Sequence, residues 1–194
     1  MTNIWYEAVE AGTSLTQGDL VLNCPLITWK TEPIQLQQAS EEIEVLKGAT
    51  YALKADVVVM TQACDLEHDK VNNVVLCPHL SLADYRVAWE AEMRRKNQNP
   101  SNKAWKSHCE DIRDGFVWNL TLLNTGDVEG LITAHRVVDF HEIYTVPRTF
   151  LESLLEQRRQ PRLRLLPPYR EHLSQAFARF FMRVGLPVAV TEAW

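Results

Sequence analysis

Cys64, Asp65, Glu67, His68 and Asp69 crowd together in the segment 57–79, VVVMTQACDLEHDKVNNVVLCPH, between two apolar runs. A thiol near an imidazole is the minimum for cysteine nucleophilic catalysis, which needs an imidazole or another cation to hold the thiolate at neutral pH. His68 stands four residues from Cys64, and His79 or His141 would have to approach through a sheet. Asp65, Glu67 and Asp69 act against that chemistry, because nearby anions raise a thiol pKa. The same stretch holds Cys64, His68, Cys77 and His79 in the spacing C-x3-H-x8-C-x-H, a set of ligand types that zinc accepts. It lacks the tight C-x2-C knuckle of structural zinc sites. In the plainer reading Cys64 is a half-buried thiol at a strand end, Cys77 a core residue, and Asp65 the acceptor of backbone amides that sets the turn. Gln62, Cys64 and Asp65 are then candidate binding residues, and no cofactor is expected.

The second concentration of chemistry is arginine. Arg158, Arg159, Arg162 and Arg164 surround Pro161, and Arg170, Arg179 and Arg183 follow. Residues 148–194 carry 8 basic against 4 acidic side chains, and every one of those cations is arginine. Its planar fork suits bidentate recognition of phosphate or carboxylate. Arg158, Arg159, Arg162, Arg164, Arg179 and Arg183 are therefore candidates for contact with RNA or a protein partner, the alternative being internal pairing with the acidic remainder of the chain. Of the tryptophans, Trp105 and Trp118 read as core, whereas Trp5, Trp29 and Trp89 are open as interface anchors.

The elements that would position these groups are mostly β. Gly18-Asp19 leads into a strand over 20–24, with Pro25 either stopping it or marking an edge. The polar run 35–44 reads as a surface loop. Residues 51–60 give the strongest strand, apolar on both faces at Val57-Val58-Val59-Met60, and 74–77 its antiparallel partner. Residues 82–115 read as two helices broken at Pro100. Strands follow over 116–123, 131–138 and 139–146, and 148–194 is an Arg-rich helical part. Its helix starts after Pro167-Pro168 and carries Leu173, Ala176, Phe177, Phe180 and Phe181 on one apolar stripe.

The 194-residue length fits one domain, in which 1–81 and 116–147 form the β core and 82–115 a helical insertion. The net charge of -5 argues against nucleic-acid binding by the whole surface. Cys24, Cys64, Cys77 and Cys109 are irregularly spaced and read as reduced thiols. No apolar run reaches the roughly 20 residues of a membrane span, and the first residues lack a signal-peptide pattern, so a cytoplasmic protein without membrane contact is expected.

Gly18-Asp19-Leu20 opening a strand, the buried strand 56–61 ending in Thr61, the short strand at Val74 and the late strand Arg136-Val137-Val138-Asp139-Phe140 resemble PemK/MazF-like domains. The resemblance implies an SH3-like β-barrel within an α+β fold, in a bacterial toxin–antitoxin or defence setting. Thr61 matches the Ser/Thr that ends the family's strand, while Lys54-Ala55-Asp56 stands where the toxins place an arginine. The expected function is a non-enzymatic binding module that engages a protein partner or RNA, with the oligomeric state left open. The alternative is a divergent, metal-independent endoribonuclease. There Thr61 and a tail arginine would flank the scissile phosphate, with His68 or His141 as acid or base. A third reading makes the chain a small zinc-binding protein.

Overall fold

The computed structural model describes residues 4–32 and 42–182. It is an α+β structure, organised on two central strands whose apolar runs leave no side for water. Val57, Val58 and Val59 of β3 (Thr50–Val59) and Val74, Leu76 and Cys77 of β4 (Asn73–Ser81) have no accessible surface. The strands pair antiparallel, Val58 opposite Cys77 and Val59 opposite Leu76. Because successive side chains point to opposite faces, Val58 and Cys77 enter one core while Val57, Val59, Val74 and Leu76 enter another.

Around this pair, β2 (Leu20–Trp29) flanks β3, and β4 is flanked by β8 (Arg136–Asp139) and β9 (Tyr144–Pro147), with β5 (Leu120–Leu123) beyond β8. Pro25 sits within β2, not at its end; the strand lies at the sheet edge, where a missing N–H is tolerated, and its register slips between Val21 and Cys24. β1 (Tyr6–Val9) and β10 (Arg162–Leu165) form a separate antiparallel pair, joined to the start of β2 by the Asp19–Arg164 bridge. β6 (Gly126–Val128) and β7 (Leu131–Thr133) make a small hairpin.

The sheets stay open: among the described residues no hydrogen-bonded path closes them into a barrel. The first core nevertheless takes side chains from β1, β2, β3, β4, β5, β8 and β10, and is covered by Leu173 and Ala176 of α6 (Tyr169–Phe181). The second is closed by Leu66 of α2 (Ala63–Glu67) and by Leu151 and Leu155 of α5 (Arg148–Arg158).

Several local expectations are corrected. The end of the expected 35–44 loop lies in α1 (Glu42–Ala49), while 33–41 lie outside the described residues. The bend CDLEH is a single helical turn, because Leu66 is buried and Arg148 donates to the Leu66 carbonyl at 2.9 Å, which holds the turn down. The expected strand 116–123 begins only at Leu120, since Phe116 closes a turn onto the Asp111 carbonyl. Trp118, expected in the core, is 47% exposed. The run 131–138 is split at Ala134-His135, where the chain passes from the small hairpin to the main sheet. In 139–146 only Asp139, the end of β8, and the last three residues, in β9, are strand. Residues 148–165, expected as part of a helical tail, hold both α5 and β10.

The excursion between β4 and β5 is the expected helix pair, α3 (Leu82–Arg95) and α4 (Asn102–Arg113). Ser81 and Ser101 cap the two helices, accepting from the Asp84 and Ala104 amides. No residue of α3 is fully buried. Its packing is aromatic: Trp89 lies 5.2 Å from Trp105, and the Tyr85 hydroxyl meets His108 Nε2 at 2.8 Å. Trp89 therefore serves the helix pair itself.

The turn before β2 is fastened to β10 by charge. Asp19 has no accessible surface and receives Arg162 Nε at 2.9 Å and Arg164 Nε at 2.5 Å. Gly18, with φ +85°, lies so close to Leu165 that an added Cβ would stand 3.0 Å from the Leu165 Cβ. Removing one partner of a buried ion pair strands the other, at a cost of about 3–5 kcal/mol. Asp19→Ala is expected to lower the unfolding free energy by about that amount, read as a drop in the urea midpoint; an unchanged midpoint would show that the clamp carries no net stability.

Candidate functional site

At the β3–β4 rim the expected catalytic and binding residues are dispersed. Thr61 is nearly buried, and its hydroxyl oxygen accepts from the Val75 amide at 2.7 Å. Gln62 and Cys64 are exposed, and the contacts of the Cys64 thiol, each at 3.8 Å, are to oxygens of Gln62 and Asp65. The Asp65 carboxylate does not set the turn; it lies 3.7 Å from the Lys70 ammonium, and backbone bonds close α2. His68 is exposed at the end of α2. His141 is also exposed, 3.6 Å from Asp139 and edge-on to Phe180. No hydrogen bond or ring contact links Thr61, His68 and His141 among the described residues.

The proposed zinc set is divided in the same way. Cys64 and His68 lie outside on α2, whereas Cys77 and His79 lie inside the sheet at 0% and 2% exposure. No three His, Cys, Asp or Glu side chains are grouped to hold a metal among the described residues. Burial pushes the Cys77 thiol up to about 12 and the Cys24 thiol to about 11, so both remain protonated core fillers at neutral pH.

Most of the tail arginines are engaged internally. Arg162 donates to Asp19 and to the carbonyls of Glu10, Thr13 and Ser14. Arg164 divides its donors between Asp19 and the Ser14 carbonyl. Arg158 holds the Leu22 and Asn23 carbonyls at 2.6 Å each. Arg159 is exposed and ends α5 in the left-handed conformation. Arg183 lies outside the described residues. Of the six, Arg162 and Arg164 take the alternative of internal pairing and act as structural clamps, because a carboxylate of this chain already occupies their forks.

Arg179 is different. It is exposed in the last turn of α6, with no ion-pair partner among the described residues, and lines a groove of about 530 Å³ between α6, β5 and the end of α4. His172, His135 and Arg113 line the same groove, and no Asp or Glu does. Arg113 is held by Asp114 at 2.8 Å. At one end Trp5 stacks on Tyr169, ring centroids 4.0 Å apart and planes within 11°. Asn124, Gln175 and Thr121 add uncharged hydrogen-bonding groups. Cations, a stacked aromatic pair and amides together suit an anionic chain with flat bases. Arg179 was visible in the sequence; His135, His172 and Arg113 were not, because they come from three separate elements.

A second cluster escaped the sequence reading. Arg136 opens β8 and donates to Asp56 at 2.8 Å and to the Thr133 hydroxyl at 3.2 Å, and its Nη1 lies 3.5 Å from His79 Nδ1. Asp56 also accepts from the Asn23 amide. His79 Nε2 is buried without a hydrogen-bond partner among the described residues. Burial, then the Arg136 charge, lower the His79 pKa to about 4, so the imidazole is neutral at pH 7. Asp56 lies inside β3, His79 near the end of β4 and Arg136 at the head of β8, so nothing local in the sequence joins them.

The chain matches no protein-family model, and a search of curated proteins finds no significant relative. No helix among the described residues is long and apolar enough to cross a membrane.

His79 makes stability depend on pH. Its folded pKa lies below the ordinary value of 6.5, so the unfolded chain binds the extra proton first, and stability is full above about pH 6.5 and falls towards pH 4. The full effect is on the order of 3 kcal/mol. His79→Gln is expected to flatten the pH dependence of the urea midpoint in this window; an equally steep profile in the variant would assign the slope to other groups.

Proposed function

We propose that the protein is a non-enzymatic binding module whose α6–β5 groove receives a short run of single-stranded RNA. The observation that carries this reading is the groove lining: Arg179 without a carboxylate partner among the described residues, beside His135, His172 and the Asp114-paired Arg113, with the Trp5–Tyr169 stack and no acid in the lining. On a chain of net charge -5 such a surface is a local positive island, which confines an anionic ligand to one place. The scaffold in this reading is an SH3-like barrel related to PemK/MazF-like domains, left open in its hydrogen bonding. Its support is the single core shared by β1, β2, β3, β4, β5, β8, β10 and α6. Leu123, Leu173 and Ala176 of this core form part of the groove wall, so the packed scaffold itself shapes the surface on which the RNA would lie.

Binding of fluorescently labelled mixed-sequence RNA of about ten nucleotides, followed by anisotropy, tests the proposal; OB-type single-strand sites span roughly 4–16 nucleotides. Affinity is expected to fall with salt, the logarithmic slope changing by about 0.7 for each phosphate neutralised. Arg179→Glu is expected to weaken binding by about tenfold or more, as loss of one charge-assisted contact does, and to reduce that slope. Absence of binding at low salt, or an Arg179→Glu variant that binds as the parent does, would defeat the proposal.

A further inference from the structure

On another part of the molecule, β2, the β6–β7 hairpin and the α5–β10 connection enclose a cleft of about 200 Å³. Its lining shares no residue with the α6–β5 groove. Apolar side chains form its walls, and two of them are unusually open to water: Leu22 is 47% and Ile132 77% exposed. Three arginines line it and no carboxylate does. Arg162 is spent on Asp19. Arg158 has no carboxylate partner among the described residues: its guanidinium is fixed by two backbone carbonyls, which orient it without cancelling its charge. Arg136 uses Nε and Nη1 on Thr133, Asp56 and His79, and Nη2 has no hydrogen bond among the described residues.

We infer that this cleft binds a small monocarboxylate with an apolar body, its carboxylate between Arg136 and Arg158 and its hydrocarbon along Leu22, Leu131, Ile132 and Leu155. Charge selects the headgroup. Among the described residues Arg162 and Arg164 are set against Asp19 and, at 4.0 Å, Glu7, so Arg136 and Arg158 against Asp56 leave one net positive charge, which one carboxylate cancels and a phosphate dianion overshoots. Both guanidiniums are held before the ligand arrives, so little side-chain entropy is lost on binding. Size selects the body: a cavity of about 150 Å³ holds benzene, so this one takes a ligand of benzoate or hexanoate dimensions. Nothing in this recognition needs RNA in the other groove, so either site can fail a test without the other.

Isothermal titration of the full chain with sodium hexanoate and sodium benzoate is the test, with 1-hexanol and inorganic phosphate as controls. At least one carboxylate is expected to saturate a single site, hexanol and phosphate to bind more weakly by about tenfold, the equivalent of ~1.4 kcal/mol. Arg158→Gln is expected to weaken the carboxylate by about tenfold or more. Because Arg158 also fastens two β2 carbonyls, Ile132→Glu is the second variant. Its side chain is largely exposed, so its melting temperature should stay near the parent's, while a carboxylate at the mouth of the cleft repels the ligand. Absence of saturable binding by either carboxylate, hexanol or phosphate binding as tightly as hexanoate, or undiminished affinity in Ile132→Glu would each overturn the inference.

Discussion

Asp19 holds two guanidiniums with no water around it, and much of the molecule's arrangement follows from that contact. A carboxylate with no accessible surface is tolerable only when it is fully paired. Arg162 and Arg164 satisfy it from β10, and Arg162 continues into the carbonyls of the 10–14 turn. In this way residues about 145 positions apart are brought together, and the β1–β10 pair is seated against the start of β2. The seat closes the core between the two sheets and gives α6 a surface on which to lay Leu173 and Ala176.

The clamp also divides the positive charge of the C-terminal part into two kinds. Arg162 and Arg164 face inward, sharing Asp19, with Glu7 4.0 Å from Arg164 as a second acid. Arg179, one helix later, has no carboxylate partner among the described residues and faces the groove. Arg158 and Arg136 are intermediate: protein oxygens orient each of them, yet each keeps donors free at one cleft. A guanidinium held only by carbonyls leaves its positive charge uncompensated, whereas a carboxylate partner offsets it; among the described residues Arg158 is of the first kind, and Arg136, paired with Asp56, contributes a free Nη2 donor.

Interior polarity has the same logic at the other end of β3 and β4. Below the Val58–Cys77 layer, Asp56, His79 and Arg136 replace hydrocarbon. His79 is kept uncharged by burial and by the arginine beside it. At this end of the sheet each of Asp56, His79 and Arg136 thus meets a partner of opposite or zero charge, as low-dielectric interiors require.

Much of the fold was legible in the residue pattern. The run of valines in β3, its pairing with the strand around Leu76, the α3–α4 pair broken at Pro100 and the start of α6 after two prolines all depend on local preference or on apolar runs that chain neighbours declare. Strands and helices whose partners are remote were not legible. Arg162-Leu163-Arg164-Leu165 alternates as a strand should, but arginine reads as surface until Asp19, far away in sequence, is seen to bury it. Residues 131–138 read as one continuous strand, yet serve two sheets. The site followed the same division: single residues such as Arg179 could be nominated from the sequence, whereas the clustering of Cys64 with His68 was proximity along the chain only. Local composition determines what an element can be; which charges are cancelled, and which are left facing a cleft, is decided by contacts between distant segments, because electrostatic pairing depends on distance in space.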